Sequence, residues 1–186
     1  MMSMFLNEAT KLRAQTIIKG LEKRNMHGVF CATKEDALKQ ALSYIKEGSS
    51  VSWGGSMSVS EIGLMDALKE GNYHLIDRSV AKNFDEQREI FSKAVLSDYF
   101  LMSSNAITLD GELINIDGTG NRVACLSYGP KHVIMIVGMN KVVKTQEDAM
   151  SRARNEAAPV NAQRFGIDTP CSKAGSCFDC KSPECI

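Results

Sequence analysis

Four cysteines near the C-terminus have a spacing that suits metal chemistry. They form a C-x5-C-x2-C-x4-C pattern made of Cys171, Cys177, Cys180 and Cys185. Four thiolates on one short segment can surround a tetrahedral zinc ion or an iron–sulfur cluster, since both are held by about four sulfur ligands. The spacing does not choose between zinc and a cluster. A mobile thiol-bearing tail, or disulfides formed during oxidation, are the alternatives to the metal site that we predict.

A glycine-serine loop, Gly54-Gly55-Ser56-Met57-Ser58, is the second candidate site. Backbone N–H groups at a glycine turn and a helix start can converge on an anion, and the two serine hydroxyls add donors. The loop matches neither GxxxxGK[ST] nor GxGxxG, which disfavours an ATPase or a classical dinucleotide fold. The alternative is a tight βα turn in which the glycines permit positive φ and Ser58 or Ser60 caps the helix.

Polar residues in predicted loops could complete an anion site at this loop. Arg122 precedes a predicted strand, and Lys141 follows the most apolar strand, so both could meet an anion from adjacent strand ends. Turn chemistry alone accounts for Asp110-Gly111 and Asp117-Gly118. The candidate ligand-binding residues are Gly54, Gly55, Ser56, Ser58, Asn105, Asp117, Asn121, Arg122 and Lys141.

Glu61 is the acidic residue near enough to the loop to act as a base or nucleophile. We expect it on the first turn of the following helix, where its carboxylate would offset the helix N-terminus, and this capping role is favoured over catalysis. The histidines are His27, His74 and His132, and they lack the paired spacing of a metal site or a recognisable triad.

The elements that must position these residues alternate between helices and strands up to Asp98. Apolar periodicity and caps predict helices over 8–26, 33–48, 58–71 and 84–95, and strands over 29–32, 51–53 and 74–77. This order predicts an α/β fold with right-handed crossovers and a mainly parallel sheet that has helices on both faces.

After Asp98 the pattern changes to short strands joined by Asp-Gly turns. A strand over 99–102 precedes an antiparallel β insertion over 107–126, and a strand over 133–137 leads to a helix that Thr145 caps and Pro159 interrupts or ends. Cys31 and Cys125 fall inside predicted strands and are interpreted as small buried hydrophobic residues.

Composition limits the classes of function. With 186 residues and 44% hydrophobic content, the chain predicts one domain over 1–166 and a cysteine-rich tail over 167–186. Twenty-two basic and twenty-two acidic residues cancel, which argues against a nucleic-acid partner. Neither a signal peptide nor an apolar run of roughly 20 residues is present, so we expect a cytoplasmic protein with reduced thiols and no membrane span.

The segments together resemble the LUD (lactate utilisation) domain family, of the LutC/YkgG-like type. The resemblance spans most of the chain, and its central block is the most specific part. It rests on Trp53-Gly54-Gly55-Ser56, Glu61-Ile62-Gly63-Leu64, Ser104-Asn105-Ala106-Ile107-Thr108, Asn115-Ile116-Asp117-Gly118, Gly120-Asn121-Arg122-Val123-Ala124, Gly129-Pro130-Lys131 and Gly138-Met139-Asn140-Lys141-Val142-Val143. The tail resembles the cysteine-rich end of one branch of that family.

The resemblance implies a sheet like that of the NagB/RpiA/CoA-transferase group, with ligands held against a glycine-rich βα loop. It also implies an accessory or complex subunit in lactate or organic-acid oxidation, acting with iron–sulfur oxidoreductase subunits and binding a small anionic ligand. Two alternatives stay open: a stand-alone CoA-transferase-like or sugar-phosphate-isomerase-like enzyme using Glu61, and a zinc or iron–sulfur module for electron transfer or sensing. Self-association into a homo-oligomer is also left open.

Overall fold

The protein forms two compact units, each assembled from separate stretches of the chain. The computed structural model describes residues 2–181 and Cys185. Unit 1 comprises residues 1–30, 104–119 and 138–186, and unit 2 comprises residues 31–103 and 120–137.

Unit 2 contains a four-stranded sheet whose strands are all parallel. The strands are β1 (Ser50–Trp53), β2 (His74–Ile76), β3 (Tyr99–Met102) and β6 (His132–Met135), in the order β2-β1-β3-β6. Val51 pairs with both Leu75 and Tyr99, and Phe100 pairs with Val133. The predicted parallel sheet is confirmed.

Helices cover both faces of this sheet because successive side chains of a strand point to opposite sides. The helices of unit 2 are α2 (Lys34–Tyr44), α3 (Met57–Glu61), α4 (Leu64–Glu70), α5 (Phe84–Val95) and α6 (Asn121–Ser127), with a short 3-10 turn at Arg78–Val80. Tyr99 and Leu101 of β3 pack in one core cluster with residues of α2 and α4, whereas Phe100 and Met102 pack with Cys125 of α6 and residues of α5.

Unit 1 contains a small mixed sheet and the two ends of the chain. Its strands are β4 (Ala106–Thr108), β5 (Leu113–Ile114) and β7 (Val142–Val143), in the order β5-β4-β7. β5 is antiparallel to β4, and β7 is parallel to it. The helices are α1 (Met2–Glu22), α7 (Gln146–Arg152), α8 (Ala158–Phe165) and α9 (Pro170–Ala174), with a 3-10 turn at Met139–Lys141.

Pro159 interrupts the long helix after Thr145, as predicted. A π-helical turn at Ala153–Ala157 joins α7 to α8, and Pro159 lies at the start of α8. Proline has no N–H to donate, and its ring crowds the preceding turn. Widening to a π turn accommodates the proline without ending the helix.

Two predicted strands are wrong. Residues 29–32 form no strand and are irregular. Val29 is 47% exposed, and Cys31 is only partly buried. Burial and the negative charge of Asp36 raise the pKa of the Cys31 thiol. Residues 123–126 are helical, and Cys125 is buried there against β3 rather than within a strand. A short apolar run occurs both in buried strands and in buried helices, and tertiary packing determines which of the two forms.

Three helix boundaries also differ from the prediction. The first helix begins at Met2 and ends at Glu22, and the second ends at Tyr44. The segment after the glycine loop is two short helices instead of one, because Gly63 adopts a left-handed φ of 76° between them. A left-handed residue cannot continue an α-helix.

Asp98 makes the stability of unit 2 sensitive to acid. Its Oδ2 accepts hydrogen bonds from the Ser50 N–H (2.9 Å) and hydroxyl (2.7 Å), and its Oδ1 lies 2.6 Å from Lys131 Nζ. The bond from Lys131, followed by those from Ser50, holds the pKa of Asp98 far below its usual range. A lowered pKa stabilises the fold when pH lies above the unfolded value of about 4, and this stability is lost as pH falls toward the folded value.

We therefore expect Asp98→Asn to lower the Tm at pH 7 and the difference from wild type to shrink as pH falls below about 4. Thermal unfolding between pH 3 and pH 7 measures both. Asp66→Asn, at an exposed surface pair with Lys69, is the control that should show little change. An Asp98→Asn deficit that is the same at every pH would contradict this explanation.

Candidate functional site

The glycine-serine loop lies at the carboxyl end of β1 in unit 2. The Gly54 N–H donates to the Leu101 carbonyl (2.9 Å), so the loop starts beside the carboxyl end of β3 as well. Ser56 is the N-cap of α3, and its hydroxyl oxygen accepts from the Val59 N–H at 3.3 Å. The cap is therefore Ser56, while Ser58 lies within the five-residue helix α3.

Gly54 is required by a close contact and not by a positive φ. A Cβ at this position would lie 2.6 Å from Cγ and 2.8 Å from Cδ of Arg122, and 3.7 Å from Phe100. Gly54 is absent from the glycines that adopt a left-handed φ. The Arg122 side chain thus crosses directly over the loop backbone.

Arg122 reaches the loop from the second position of α6. Gly120, with a φ of 77°, is the N-cap of that helix, and Asn121 is its first residue. The structure therefore brings together, within unit 2, the predicted loop and the predicted cation. Asn121 belongs to the same unit.

The other predicted ligand residues belong to unit 1. Asn105 is 8% exposed, and its Oδ1 accepts from the Ile116 N–H at 2.9 Å, next to Asp117. Lys141 ends the 3-10 turn Met139–Lys141. Within this unit, Asn105 is hydrogen-bonded to the segment that carries Asp117.

Arg152 is a residue of unit 1 that the sequence did not single out. Its Nε donates to the Asn140 carbonyl (3.2 Å), and its Nη1 donates to the Asn105 carbonyl. The side chain is 11% exposed and lies 3.4 Å from Glu156. Arg152 therefore joins two loops that each carry or adjoin a predicted ligand residue. Arg152 lies on a helix rich in charged residues, and such a pattern is typical of a solvated helix face. The sequence therefore contains no signal that distinguishes this arginine from an exposed one.

Glu61 is the last residue of α3 and lies outside its first turn. The expected position on the first turn is wrong, because Glu61 is the fifth and last residue of α3 and the first turn contains no acidic residue. Its side chain is 53% exposed, and Oε2 lies 3.6 Å from Lys34 Nζ. The catalytic role of Glu61 stays a prediction.

The tail cysteines have separate environments in unit 1. Cys171 Sγ lies 3.1 Å from Thr169 Oγ1 at the start of α9, whereas Cys177 Sγ accepts from Arg154 Nη2 (3.6 Å) and the Asp179 N–H (3.4 Å). Cys180 and Cys185 are exposed.

Among residues 2–181 and 185, the structure contains no group of three or more His, Cys, Asp or Glu side chains placed to hold a metal ion. A tetrahedral zinc or a cluster needs about four converging sulfurs. The positions of the four tail cysteines therefore do not fit a zinc ion or an iron–sulfur cluster. Metal binding by the tail stays a prediction.

Within the described part of the chain, no helix is both long and apolar enough to cross a membrane.

Comparison with known proteins places the chain in a family. No curated protein and no solved structure matches the chain. A family model described as the LUD domain matches residues 14–186, which include the glycine-serine loop, Arg122 and the cysteine tail. The chain therefore belongs to the LUD domain family, which supports a role associated with lactate utilisation.

Proposed function

We propose that this chain is an accessory or complex subunit in the oxidation of lactate or another organic acid. In this proposal it binds a small anionic metabolite or cofactor at the glycine-serine loop of unit 2. The observation that carries the proposal is the passage of the Arg122 side chain over Gly54, with 2.6 Å between Arg122 Cγ and the place of a Cβ. Family membership supplies the metabolic context.

The position of the loop favours a ligand. Open α/β sheets bind ligands outside the carboxyl ends of their parallel strands, and Gly54 adjoins two such ends, those of β1 and β3. A guanidinium offers several N–H donors in a planar fork that matches a carboxylate or a phosphate. The Ser56 hydroxyl accepts from Val59 through its oxygen, so its own hydrogen can be donated to a ligand.

The short α3 contributes little to this binding. A helix of five residues sums few peptide dipoles, so its N-terminus is a weak anion site. The charge of Arg122 must therefore supply most of the attraction. Gly54 would act by leaving room for the arginine stem.

Arg122→Gln should weaken the binding of L-lactate and pyruvate by about tenfold or more, because a charge-assisted hydrogen bond contributes roughly 1.5–3 kcal/mol. Gly54→Ala should weaken binding in the same direction, since its methyl group would displace the Arg122 stem. NMR titration of the full chain with each acid measures the dissociation constants.

Arg88→Gln is the matched control for this titration. Arg88 is exposed on α5 of unit 2, and the substitution removes the same charge away from the loop. We expect its affinity to equal that of wild type. If Arg122→Gln and Gly54→Ala bind both acids as wild type does, the loop is not the binding site.

Anaerobic purification of the native protein tests the role as a subunit. Co-purification of iron–sulfur oxidoreductase subunits would support the proposal, and recovery without any such partner would count against it.

Metal analysis of the same sample tests metal binding by the cysteine tail. Zinc or iron that is present in wild type and lost from a Cys177→Ser, Cys180→Ser variant would support a metal site. If wild type contains neither metal, the tail is not a metal site.

A further inference from the structure

An open cavity in unit 1 has Cys177 in its wall. The cavity has a volume of about 460 Å³, and its lining includes Arg154 and Asn155 of the π-helical turn and Cys177 and Phe178 of the tail. Sites for small molecules have volumes of roughly 300–1,000 Å³, so the cavity has room for a small organic group. Cys177 is partly buried, and a molecule in the cavity would lie against it.

Two donors are directed at the Cys177 sulfur. Arg154 Nη2 donates to Cys177 Sγ (3.6 Å), and the Asp179 N–H donates to the same sulfur (3.4 Å). The guanidinium is held in place because its Nη2 also donates to Asp179 Oδ1 at 2.6 Å. The contact with Cys177, followed by the charge of Asp179, raises the pKa of Arg154. Positive charge beside a cysteine stabilises the thiolate, which is the form of sulfur that attacks a disulfide, although the Asp179 carboxylate offsets part of this charge.

A second cysteine, Cys180, lies three residues after Cys177. Its neighbours Asp179 and Lys181 have left-handed φ values of 54° and 50°, so the chain turns sharply on both sides of it. Cys180 is exposed. The C-x2-C spacing is that of cysteine pairs that cycle between two thiols and a disulfide. Cys180 is therefore suited to attack a disulfide that has formed at Cys177.

We propose that Cys177 is a thiol–disulfide exchange site whose substrate is a small-molecule disulfide, and that Cys180 is the resolving cysteine. The Cys177 sulfur attacks one sulfur of the substrate, whose S–S bond breaks, and the first thiol leaves with the proton of Cys177. The cavity holds the organic group of the mixed disulfide that forms. The Cys180 sulfur then attacks the Cys177 sulfur, a disulfide joins the two cysteines, and the second thiol leaves with the proton of Cys180. The two cysteines lose two electrons, and one substrate molecule is reduced to two thiols.

This inference goes beyond the proposed function, since it concerns the tail of unit 1 and requires neither a ligand at the glycine-serine loop nor a bound metal. It agrees with the finding that the described residues contain no group of side chains placed to hold a metal ion. Arg122→Gln should exchange at the wild-type rate, so failure of the loop proposal and failure of this one are separate results.

The experiment treats the reduced full chain with hydroxyethyl disulfide, whose lack of charge excludes electrostatic attraction of the reagent by Arg154. Mass spectrometry of peptides locates each modification over time. Wild type should end with a disulfide between Cys177 and Cys180, whereas Cys180→Ser should stop at a mixed disulfide on Cys177. Cys177→Ser should leave a Cys180 that reacts more slowly than Cys177 does.

Arg154→Met should slow the first step about threefold. Losing a hydrogen bond from a charged donor lowers the amount of thiolate by about tenfold. The thiolate that remains is more basic and about threefold more nucleophilic, which offsets part of the loss. Lys173→Met is the matched control, because it removes an exposed positive charge from the same tail, and it should react at the wild-type rate.

Three results would overturn the proposal. One is a mixed disulfide in Cys180→Ser that forms first on Cys171 or Cys185. Another is a rate at Cys177 that Arg154→Met leaves unchanged. The third is a reaction that begins only after a chelator has removed bound zinc or iron, since that result would assign the cysteines to a metal site.

Discussion

Gly20→Ala should destabilise the protein by about 3 kcal/mol, at the upper end of the usual range for overpacking. A Cβ on Gly20 of α1 would lie 2.2 Å from the Asp110 carbonyl oxygen, 2.4 Å from its carbon and 2.9 Å from the Gly111 nitrogen. All three are backbone atoms, so no side chain can turn away to make room. The helix or the turn must move instead.

The turn beside Gly20 is held too firmly to move cheaply. The Thr108 N–H donates to the Glu112 carbonyl and the Gly111 N–H to the Thr108 carbonyl, both at 3.0 Å. Arg24 Nη1 donates to the Asp110 carbonyl at 2.6 Å, which fastens the turn to α1. Displacing the helix would strain the hydrogen bond from Arg24 to the Asp110 carbonyl.

Urea unfolding of Gly20→Ala measures the loss, with Gln15→Ala on the exposed face of α1 as the control. Helix propensity alone predicts the opposite sign, since alanine is better than glycine in a helix by about 1 kcal/mol. The control should change the free energy of unfolding by no more than about 0.5 kcal/mol. A wild-type midpoint for Gly20→Ala would show that α1 does not lie against this turn.

Arg152→Met should also destabilise the protein by about 3 kcal/mol, because it removes hydrogen bonds from a charged group to two backbone carbonyls. The arginine side chain is only 11% exposed, and its donors hold Asn105 and Asn140. Methionine retains most of the apolar stem, so the effect reports mainly the lost hydrogen bonds. The loops that carry Asn105 and Lys141 should loosen.

Arg154→Met is the matched control, two residues further along the same helical segment. Arg154 is 40% exposed and pairs with Asp179 at 2.6 Å, and an exposed ion pair contributes about 1 kcal/mol at most. Urea unfolding compares the two variants, and hydrogen exchange of the Ile116 and Lys141 amides reports the loosening. Equal losses in both variants would refute the special role of Arg152.

The local signals that were strongest in the sequence match the structure. Thr145 caps α7 as predicted and forms a capping box with Asp148, and Thr33, where the helix over 33–48 was predicted to begin, accepts from the Asp36 N–H at 3.1 Å. Strands at Ser50–Trp53 and Tyr99–Met102 lie where buried apolar runs predicted them. Caps and buried runs depend on neighbouring residues, so the sequence carries them directly.

The antiparallel insertion was only partly predictable. The β4–β5 pair around the Asp110-Gly111 turn is antiparallel as predicted, because the turn residues set the hairpin. The second partner of β4 is β7, which is parallel and comes from a distant part of the chain. The segment predicted to supply another strand became α6, since Cys125 and Leu126 pack from a helix onto the side of β3 that carries Phe100.

The grouping of the candidate ligand-binding residues was also beyond prediction from the sequence. Asp117 and Asn121 are close in sequence, yet the chain passes from unit 1 to unit 2 between residues 119 and 120. Asn105, Asp117 and Lys141 therefore belong to one unit, and Arg122 and the glycine-serine loop to the other. Spacing along the chain could not reveal this division.

The sequence by itself determined the alternating α/β architecture, the family, the caps and the choice of Gly54 and Arg122 as candidates. These features follow from periodicity, turn chemistry and short motifs, all of which are local. Only the tertiary structure decided why Gly54 must be glycine and why the Arg152 side chain is only 11% exposed. Each depends on which distant backbone or side chain comes within a few ångströms, and that proximity is a property of packing.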